Sequence, residues 1–333
     1  MAVRNAEAVR NAEGVATVTR HRFVHRSVPA LLAAAALVAG APAAASPAAP
    51  APPDIPVGDV QAQLAELQRI ADDSGGNRAH GQPGHKATVD YLKSTLDNAG
   101  FETTVQEFTA DGKVGWNLIA DLPAGGAGEV LMLGGHMDSV PEGPGINDNG
   151  SGTAGLLEVA LTAAEQNLRP SKHLRFAWWG AEEQGLLGSS HYVRNLPAGE
   201  LGKIGGYLNF DMIGSPNPGN FVYSSQGQPE GSAALERNLT GYFDSTGVPT
   251  EAIELAGRSD HAAFADAGVP TGGTFTGAEG TMSAEQAEKW GGTAGEPFDP
   301  CYHAGCDTVD NINEKALDRH TDAIANAVWT LSS

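Results

Sequence analysis

Five short segments of this chain each carry a side chain able to bind a metal ion or move a proton. VLMLGGHMDS supplies His136, GPGINDNGSG supplies Asp148 in a glycine-rich turn ahead of a helix, RFAWWGAEE supplies Glu182 and Glu183, GYLNFDMIG supplies Asp211, and CYHAGC supplies His303. Five of these six could ligate metal, and two histidines with three carboxylates form a borderline-to-hard donor set suited to zinc, cobalt or manganese. Such a set is one residue too rich for a single four-coordinate zinc that keeps an open position. If one carboxylate bridges, each of two metals has three protein contacts, with a shared water between ions about 3.5 to 4 Å apart, as in a two-metal hydrolase. A carboxylate outside the coordination shell can then carry a proton from nucleophile to leaving amine. The adjacent acids Glu182 and Glu183 can divide that work, one on metal and one as general acid and base.

Each residue alone has a plainer reading. A lone histidine is more often a satisfied polar group than a ligand, and adjacent acids are usually a solvated surface pair. Against the second reading, Phe176 to Trp179 look core-bound and the acids come after only Gly180 and Ala181. Trp178 and Trp179 themselves read as core. Asp260 and His261 in GRSDH rank behind the six as ligands, and His80, His85, His173, His191 and His320 receive no role. The sequons at Asn149 and Asn238 are discounted, the first because it lies in the glycine-rich turn.

The elements that must position these residues alternate. Val60, Leu64, Leu67 and Ile70 recur at helical spacing, as do Val89, Leu92 and Leu96 before a stop at Gly100. Runs rich in β-branched and aromatic residues predict strands at Phe101–Phe108, Val114–Leu122, Glu129–Leu133, His173–Trp179, Ile204–Phe210, Phe221–Ser224 and Thr271–Phe275. Helical stretches at Thr153–Glu165, Ala233–Phe243 and Asn313–Leu331 separate or follow them. This succession predicts an α/β fold, with a mostly parallel sheet covered on both faces and the site beyond the strands' carboxyl ends.

Composition narrows the class. The 333 residues, 41% hydrophobic and 18% charged, suffice for one large domain. A net charge of −20 disfavours nucleic acid and anionic membranes as partners and favours a soluble monomer. Residues 1–45 read as a secretory signal peptide with an N-terminal extension: Arg20, Arg22, His25 and Arg26 precede the apolar run Ala30–Gly40 and the site Ala43-Ala44-Ala45. That run is shorter than the about 20 residues of a spanning helix. Residues 46–53, SPAAPAPP, read as a linker or pro-segment, and residues 54–333 as a single domain of a secreted, extracellular protein. The repeated VRNAE at Val3 and Val9 has no functional reading. Cys301 and Cys306 are the only cysteines, and an oxidising compartment would let them bridge. So small a ring would contribute roughly 2 kcal/mol, a local staple.

From Asp54 to the carboxyl terminus the chain resembles the secreted bacterial di-zinc aminopeptidases of metallopeptidase family 28, especially the streptomycete leucine-preferring type. The resemblance rests on HMDS, GINDNGSG, WWGAEE, LNFDMIGSPNPG, GRSDHAAF, AEKWGGTAG and CYHAGC together. It implies a three-layer α/β/α sandwich around a mixed sheet. It implies two zinc ions, one on His136 and Asp211, the other on Glu183 and His303, with Asp148 bridging. Glu182 matches the general base and Tyr302 the hydroxyl that polarises the carbonyl, and a Cys301–Cys306 disulfide would hold Tyr302 and His303 in orientation. A calcium site is implied at Asp54, the Ile55 carbonyl, Asp318 and Asp322, where oxygen-only ligands suit that ion and the last two residues share a helix face. The implied substrates are peptides with a free N-terminus, preferably Leu, Met or Phe. Arg258 would assist through its backbone, and Met212 and Phe275 would line an apolar pocket.

Two other readings stand beside this one. A carboxypeptidase or glutaminyl cyclase on the same scaffold needs a different metal count or a basic clamp for a carboxylate, and no arginine-rich cluster adjoins the ligand motifs. A metal-free binding module would have lost ligands or Glu182, and the chain keeps them.

Overall fold

The structure is a computed structural model that describes residues 16–20 and 51–333. The signal-peptide reading and the first part of the 46–53 linker lie outside the described residues.

Helices α1 (Val57–Asp73) and α2 (Pro83–Asn98) precede a hairpin of β1 (Glu102–Ala110) and β2 (Lys113–Asp121). Asp111 and Gly112 make its two-residue turn, both at positive φ (50° and 73°), as the right-handed strand twist requires of a tight hairpin. The chain continues through β3 (Val130–His136), α3 (Gly152–Glu165), β4 (His173–Trp179), α4 (Leu187–Asn195), β5 (Ile204–Phe210), β6 (Phe221–Tyr223) and α5 (Ser232–Ser245). It closes with β7 (Glu251–Ile253), α6 (His261–Asp266), β8 (Thr271–Phe275), α7 (Ala284–Trp290) and α8 (Glu314–Leu331). Among the described residues no helix is long and apolar enough to cross a membrane.

The eight strands form one mixed sheet in the order β1-β2-β4-β3-β5-β8-β6-β7. Its centre, β4-β3-β5-β8, is parallel, while β1, β2 and the β6/β8 junction are antiparallel. Strand alternation sends successive side chains to opposite faces, and the core splits accordingly. Leu118, Ala120, Leu131, Leu133, Phe176 and Trp178 pack beneath α1, α2, α3, α5 and α8. Ile119, Met132, Ala177, Trp179 and Tyr207 face the other way, against Tyr192 of α4 and Phe264 of α6. Burial on both faces explains why the central strands read as continuous apolar runs.

Two expectations need adjustment. The strand predicted to end at Leu133 runs on to His136, so that histidine is the last residue of β3. The apolar periodicity broke at Gly134-Gly135, yet the sheet needs them: a Cβ on Gly134 would lie 2.7 Å from the Tyr207 hydroxyl, and one on Gly135 2.5 Å from the Phe210 carbonyl. The short α4, α6 and β7 were not foreseen, because three to nine residues give too little periodicity.

Candidate metal centre

The parallel strands bring the predicted residues to one edge of the sheet. His136 ends β3; Glu182 and Glu183 lie three and four residues past the end of β4; Asp211 comes directly after β5; and Asp148 sits in a tight turn, Ile146–Ser151, that leads into α3. Tyr302 and His303 reach the same place from the loop closed by a Cys301–Cys306 disulfide. The backbone is strained here: Ala181, Met212 and His303, none a glycine, hold positive φ of 55°, 52° and 56°. Such conformations cost about 1 to 3 kcal/mol each and persist where surrounding structure fixes a side chain for a task.

Asp148 is the centre of the arrangement. Its Oδ1 lies 3.2 Å from His136 Nε2 and its Oδ2 3.1 Å from His303 Nε2, so one carboxylate faces two histidines in opposite directions. Asp211 Oδ1 lies 3.3 Å from His136 Nε2, and Glu183 Oε2 lies 3.0 Å from His303 Nε2. Glu182 stands further off, at 4.0 Å from His136 Nε2. Ligand atoms converge within 4.8 Å in two overlapping triads, His136-Asp148-Glu183 and His136-Glu182-Asp211. Convergence alone therefore does not separate Glu182 from Asp211, whereas the nearest distances favour Asp211 as His136's partner.

The electrostatics fit cations. Burial works against the charge on His136, but Asp211 and Glu182 outweigh it and raise the imidazole well above its ordinary value. Hydrogen bonds to Asp148 and then Glu183 raise His303 to about 10. Burial would raise Asp148, yet the two histidines bring it below the usual carboxylate range. Burial, with Asp148 next, raises Glu183 to about 7, and burial raises Glu182 well above 4.5. The cluster thus balances its acids with protons that divalent cations would displace. Asp211 Oδ1 and Glu183 Oε1 are also buried without a hydrogen-bond partner, as coordinating oxygens would be. The donor set fits zinc.

Polar side chains behind these residues fix them. Asp138 Oδ1 accepts from the Glu182 amide at 3.2 Å, and the Asp138 carbonyl lies 3.2 Å from His136 Nδ1. The wholly buried Arg78 donates to the carbonyls of Met137, Pro144 (3.0 Å) and Gly145 (2.7 Å), tying the segment after His136 to the turn before Asp148. Asn149 donates to Phe210 O and accepts from the amides of Gly152 and Met212, which ties the Asp148 turn to Asp211 and leaves no free amide for glycosylation. A directed chain runs from Trp179 Nε1 to the Tyr207 hydroxyl (2.8 Å), Asn209 Oδ1 (2.8 Å), Ser259 Oγ (2.7 Å) and Asp211 Oδ2 (2.6 Å). Sequence reading missed Arg78 and Ser259, since a lone arginine or serine carries no pattern.

A cavity of about 640 Å³ opens beside the cluster, within the usual range for small-ligand sites. Met212 and Phe275 line it as expected, with Phe221, Ile253, Leu255 and Phe298 besides. Arg258, the one lysine or arginine lining it among the described residues, pairs with Glu279 at 3.0 Å and reaches the Tyr302 hydroxyl at 3.5 Å. Tyr302 stacks on His303 with ring centroids 3.8 Å apart. Asp260 is fully buried close enough to Glu182 to raise its carboxyl, and His261 packs edge-on to Tyr223. At the opposite end of the chain, Asp322 Oδ1 accepts from the Ile55 amide at 2.8 Å, and Asp54 and Asp318 lie close enough to raise the Asp322 carboxyl.

Residues 117–328 match the profile of Peptidase family M28. This chain belongs to that family. It is 56% identical over 308 residues to leupeptin-inactivating enzyme 1 of Streptomyces exfoliatus, covering 92% of this chain and 69% of that one. It is 53% identical over 223 residues to an aminopeptidase of Pseudomonas aeruginosa strain UCBPP-PA14, covering 65% of this chain and only 41% of that longer relative. A zinc aminopeptidase of Bacillus subtilis shares the fold, with a TM-score of 0.70 at 18% identity over 83% of this chain and 95% of that one. The α/β architecture read from the sequence is thus that of the zinc aminopeptidases.

Proposed function

We infer that this M28 peptidase is a zinc-dependent aminopeptidase, a secreted hydrolase that removes the N-terminal residue, preferably large and hydrophobic such as leucine, from peptides with a free N-terminus. The observation that carries this reading is Asp148, whose two oxygens address His136 and His303 separately while Glu182 stands further off, 4.0 Å from His136 Nε2. His136 and Asp211 would hold one zinc, Glu183 and His303 the second, with Asp148 shared. Bound there, two zinc ions supply Lewis-acid polarisation of the scissile carbonyl and acidify water.

The protein's own groups do the rest. Glu182, raised by burial and oriented through its amide by Asp138, takes the proton of the attacking water and delivers it to the departing amine. The Tyr302 hydroxyl, kept protonated by burial, donates to the carbonyl oxygen as charge develops on it. Glu182 and Asp211 receive the substrate's α-ammonium, aided by the backbone at Arg258. The apolar wall with Met212, Phe275 and Phe298 accepts a large aliphatic or aromatic side chain. Arg258 is paired with Glu279, so among the described residues the cavity lining offers no lysine or arginine without an acidic partner for a C-terminal carboxylate, which disfavours the carboxypeptidase reading.

Residues 54–333 form the catalytic domain on this reading, exported behind the 1–45 signal and the 46–53 linker and acting as a monomer. Asp54, the Ile55 carbonyl, Asp318 and Asp322 would hold a calcium ion, which would clip the start of the domain to α8. The decisive test of the mechanism is Glu182→Ala, which should retain both zinc ions yet lose roughly 10² to 10⁴ in turnover. Near-parental turnover with zinc bound would remove Glu182 from the mechanism.

A further inference from the structure

The Tyr302-His303 loop is bracketed by two buried aspartates that never reach the cavity. Asp307, 1% exposed and four residues beyond His303, accepts the Asn147 amide on Oδ1 at 2.8 Å and the Asp148 amide on Oδ2 at 2.9 Å. Its carbonyl accepts the Ile146 amide at 3.1 Å, so three consecutive amides of the Asp148 turn end on one residue of the His303 loop. Asp299, also 1% exposed and four residues before His303, accepts the Asn147 side-chain amide at 2.6 Å and the Cys301 amide at 2.8 Å. Asn311 joins the pair, donating to Asp299 at 3.0 Å and to Asp307 at 3.1 Å.

Among the described residues neither carboxylate has an ion pair, and the buried Arg78 guanidinium acts on Asp307 only from a distance; burying two carboxylates mainly against amide donors is an expensive way to pin a loop, since a neutral side chain would serve without the desolvation. What a carboxylate adds is two acceptors in one plane, able to hold two successive N–H groups and so fix the rotation of the peptide that carries Asp148. The segment ends fixed this way are those whose side chains meet at Asp148 Oδ2 and His303 Nε2, 3.1 Å apart. His303 is itself the most exposed of the five ligands and has no other ring-nitrogen hydrogen bond to an orienting partner among the described residues.

We propose that Asp307 is a positioning residue for the metal centre: by gripping the amides of Asn147 and Asp148 from the far side of the disulfide-closed loop, it sets the Asp148–His303 spacing and thereby the affinity of the ion those residues share with Glu183. The proposal rests on the two-zinc reading above. It predicts asymmetry, because the His136-Asp211 side is braced independently, His136 by the Asp138 carbonyl and Asp211 by Ser259.

The test is zinc loading of the full chain against a competing chelator, for the parent, Asp307→Asn, Asn311→Ala and the core variant Leu239→Ala. Asp307→Asn turns an acceptor into a donor facing an amide. It should weaken one of the two zinc ions about 10- to 100-fold, the usual range when a partner behind a ligand is lost, and leave the other at parental affinity. Turnover should recover at high zinc with KM unchanged. Asn311→Ala should produce the same selective loss to a smaller degree, which covers the case in which Asp307→Asn does not fold. Leu239→Ala, at a buried site on α5, should lower the melting temperature without touching zinc affinity. Parental affinity for both ions in Asp307→Asn and Asn311→Ala, or equal weakening of both ions, would overturn the positioning role. A parent that binds no zinc would instead overturn the two-zinc reading.

Discussion

Ser259 donates from Oγ to Asp211 Oδ2 at 2.6 Å, leaving Asp211 Oδ1 to face His136 Nε2 at 3.3 Å. One oxygen is held by the protein and the other is presented. Because Ser259 is the last donor in a chain that starts at Trp179, the carboxylate's rotation is set by a relay along the Trp179–Tyr207 face of the sheet. Ser259→Ala should weaken zinc at the Asp211 side by about 10- to 100-fold, read by chelator competition, while Ser259→Thr restores most of the loss. Equal zinc affinity in Ser259→Ala and parent would show that the hydrogen bond does not position the ligand.

His320 on α8 is wholly buried, edge-on to Phe243 at 5.1 Å, and among the described residues neither ring nitrogen has a hydrogen-bond partner. An unsatisfied buried polar group costs about 1 to 3 kcal/mol, and leucine fills a similar volume. His320→Leu should therefore stabilise the chain by about 1 kcal/mol, raising the melting temperature by about 2 to 4 °C.

The same pair of proteins gives a pH test. Burial lowers His320 to about 3, so the folded state keeps it neutral where the unfolded chain, near 6.5, takes a proton. Stability from this residue is thus complete above about 6.5 and is lost as pH falls toward 3. The margin of His320→Leu over the parent should widen by about 1.4 kcal/mol per pH unit below 6.5. A margin that stays constant with pH would place the ring in contact with solvent or a partner.

Burial pushes the Asp322 carboxyl up to about 6, and Asp54 and Asp318 add to it. Calcium needs the ionised form, so calcium-dependent stabilisation in thermal unfolding should be present at pH 7 and fade as pH falls through 6. Asp322→Asn should abolish it at every pH. A calcium shift of the same size in Asp322→Asn would move the ion elsewhere.

How legible this was depended on whether information sat in neighbouring residues or in side chains distant in sequence. Apolar runs such as His173–Trp179 and Ile204–Phe210 gave strands at their observed limits, because burial on both faces imposes continuous hydrophobicity. His136, Glu182, Glu183 and Asp211 were readable because parallel strands gather the residues at and just past their carboxyl ends at one edge of the sheet. Their separate duties came from family resemblance: Glu182 and Asp211 both converge on His136, and spacing does not rank them. The groups that orient the ligands were illegible. Arg78, Ser259, Asp299 and Asp307 act across 48 to 160 residues of chain through single hydrogen bonds, which leave no periodicity. Phe221, Ile253 and Phe298 joined the cavity wall for the same reason, since their strands and loops meet only in the folded sheet.

On the reading proposed above, two zinc ions held around Asp148 make this chain an aminopeptidase. The most direct measurement of this is zinc content together with hydrolysis of a leucyl anilide on one preparation, before chelation, after it, and after zinc is returned. About two zinc ions per chain are expected, with loss of hydrolysis on chelation and its return with zinc. Hydrolysis that persists after complete metal removal, or a chain that takes up no zinc, would contradict it.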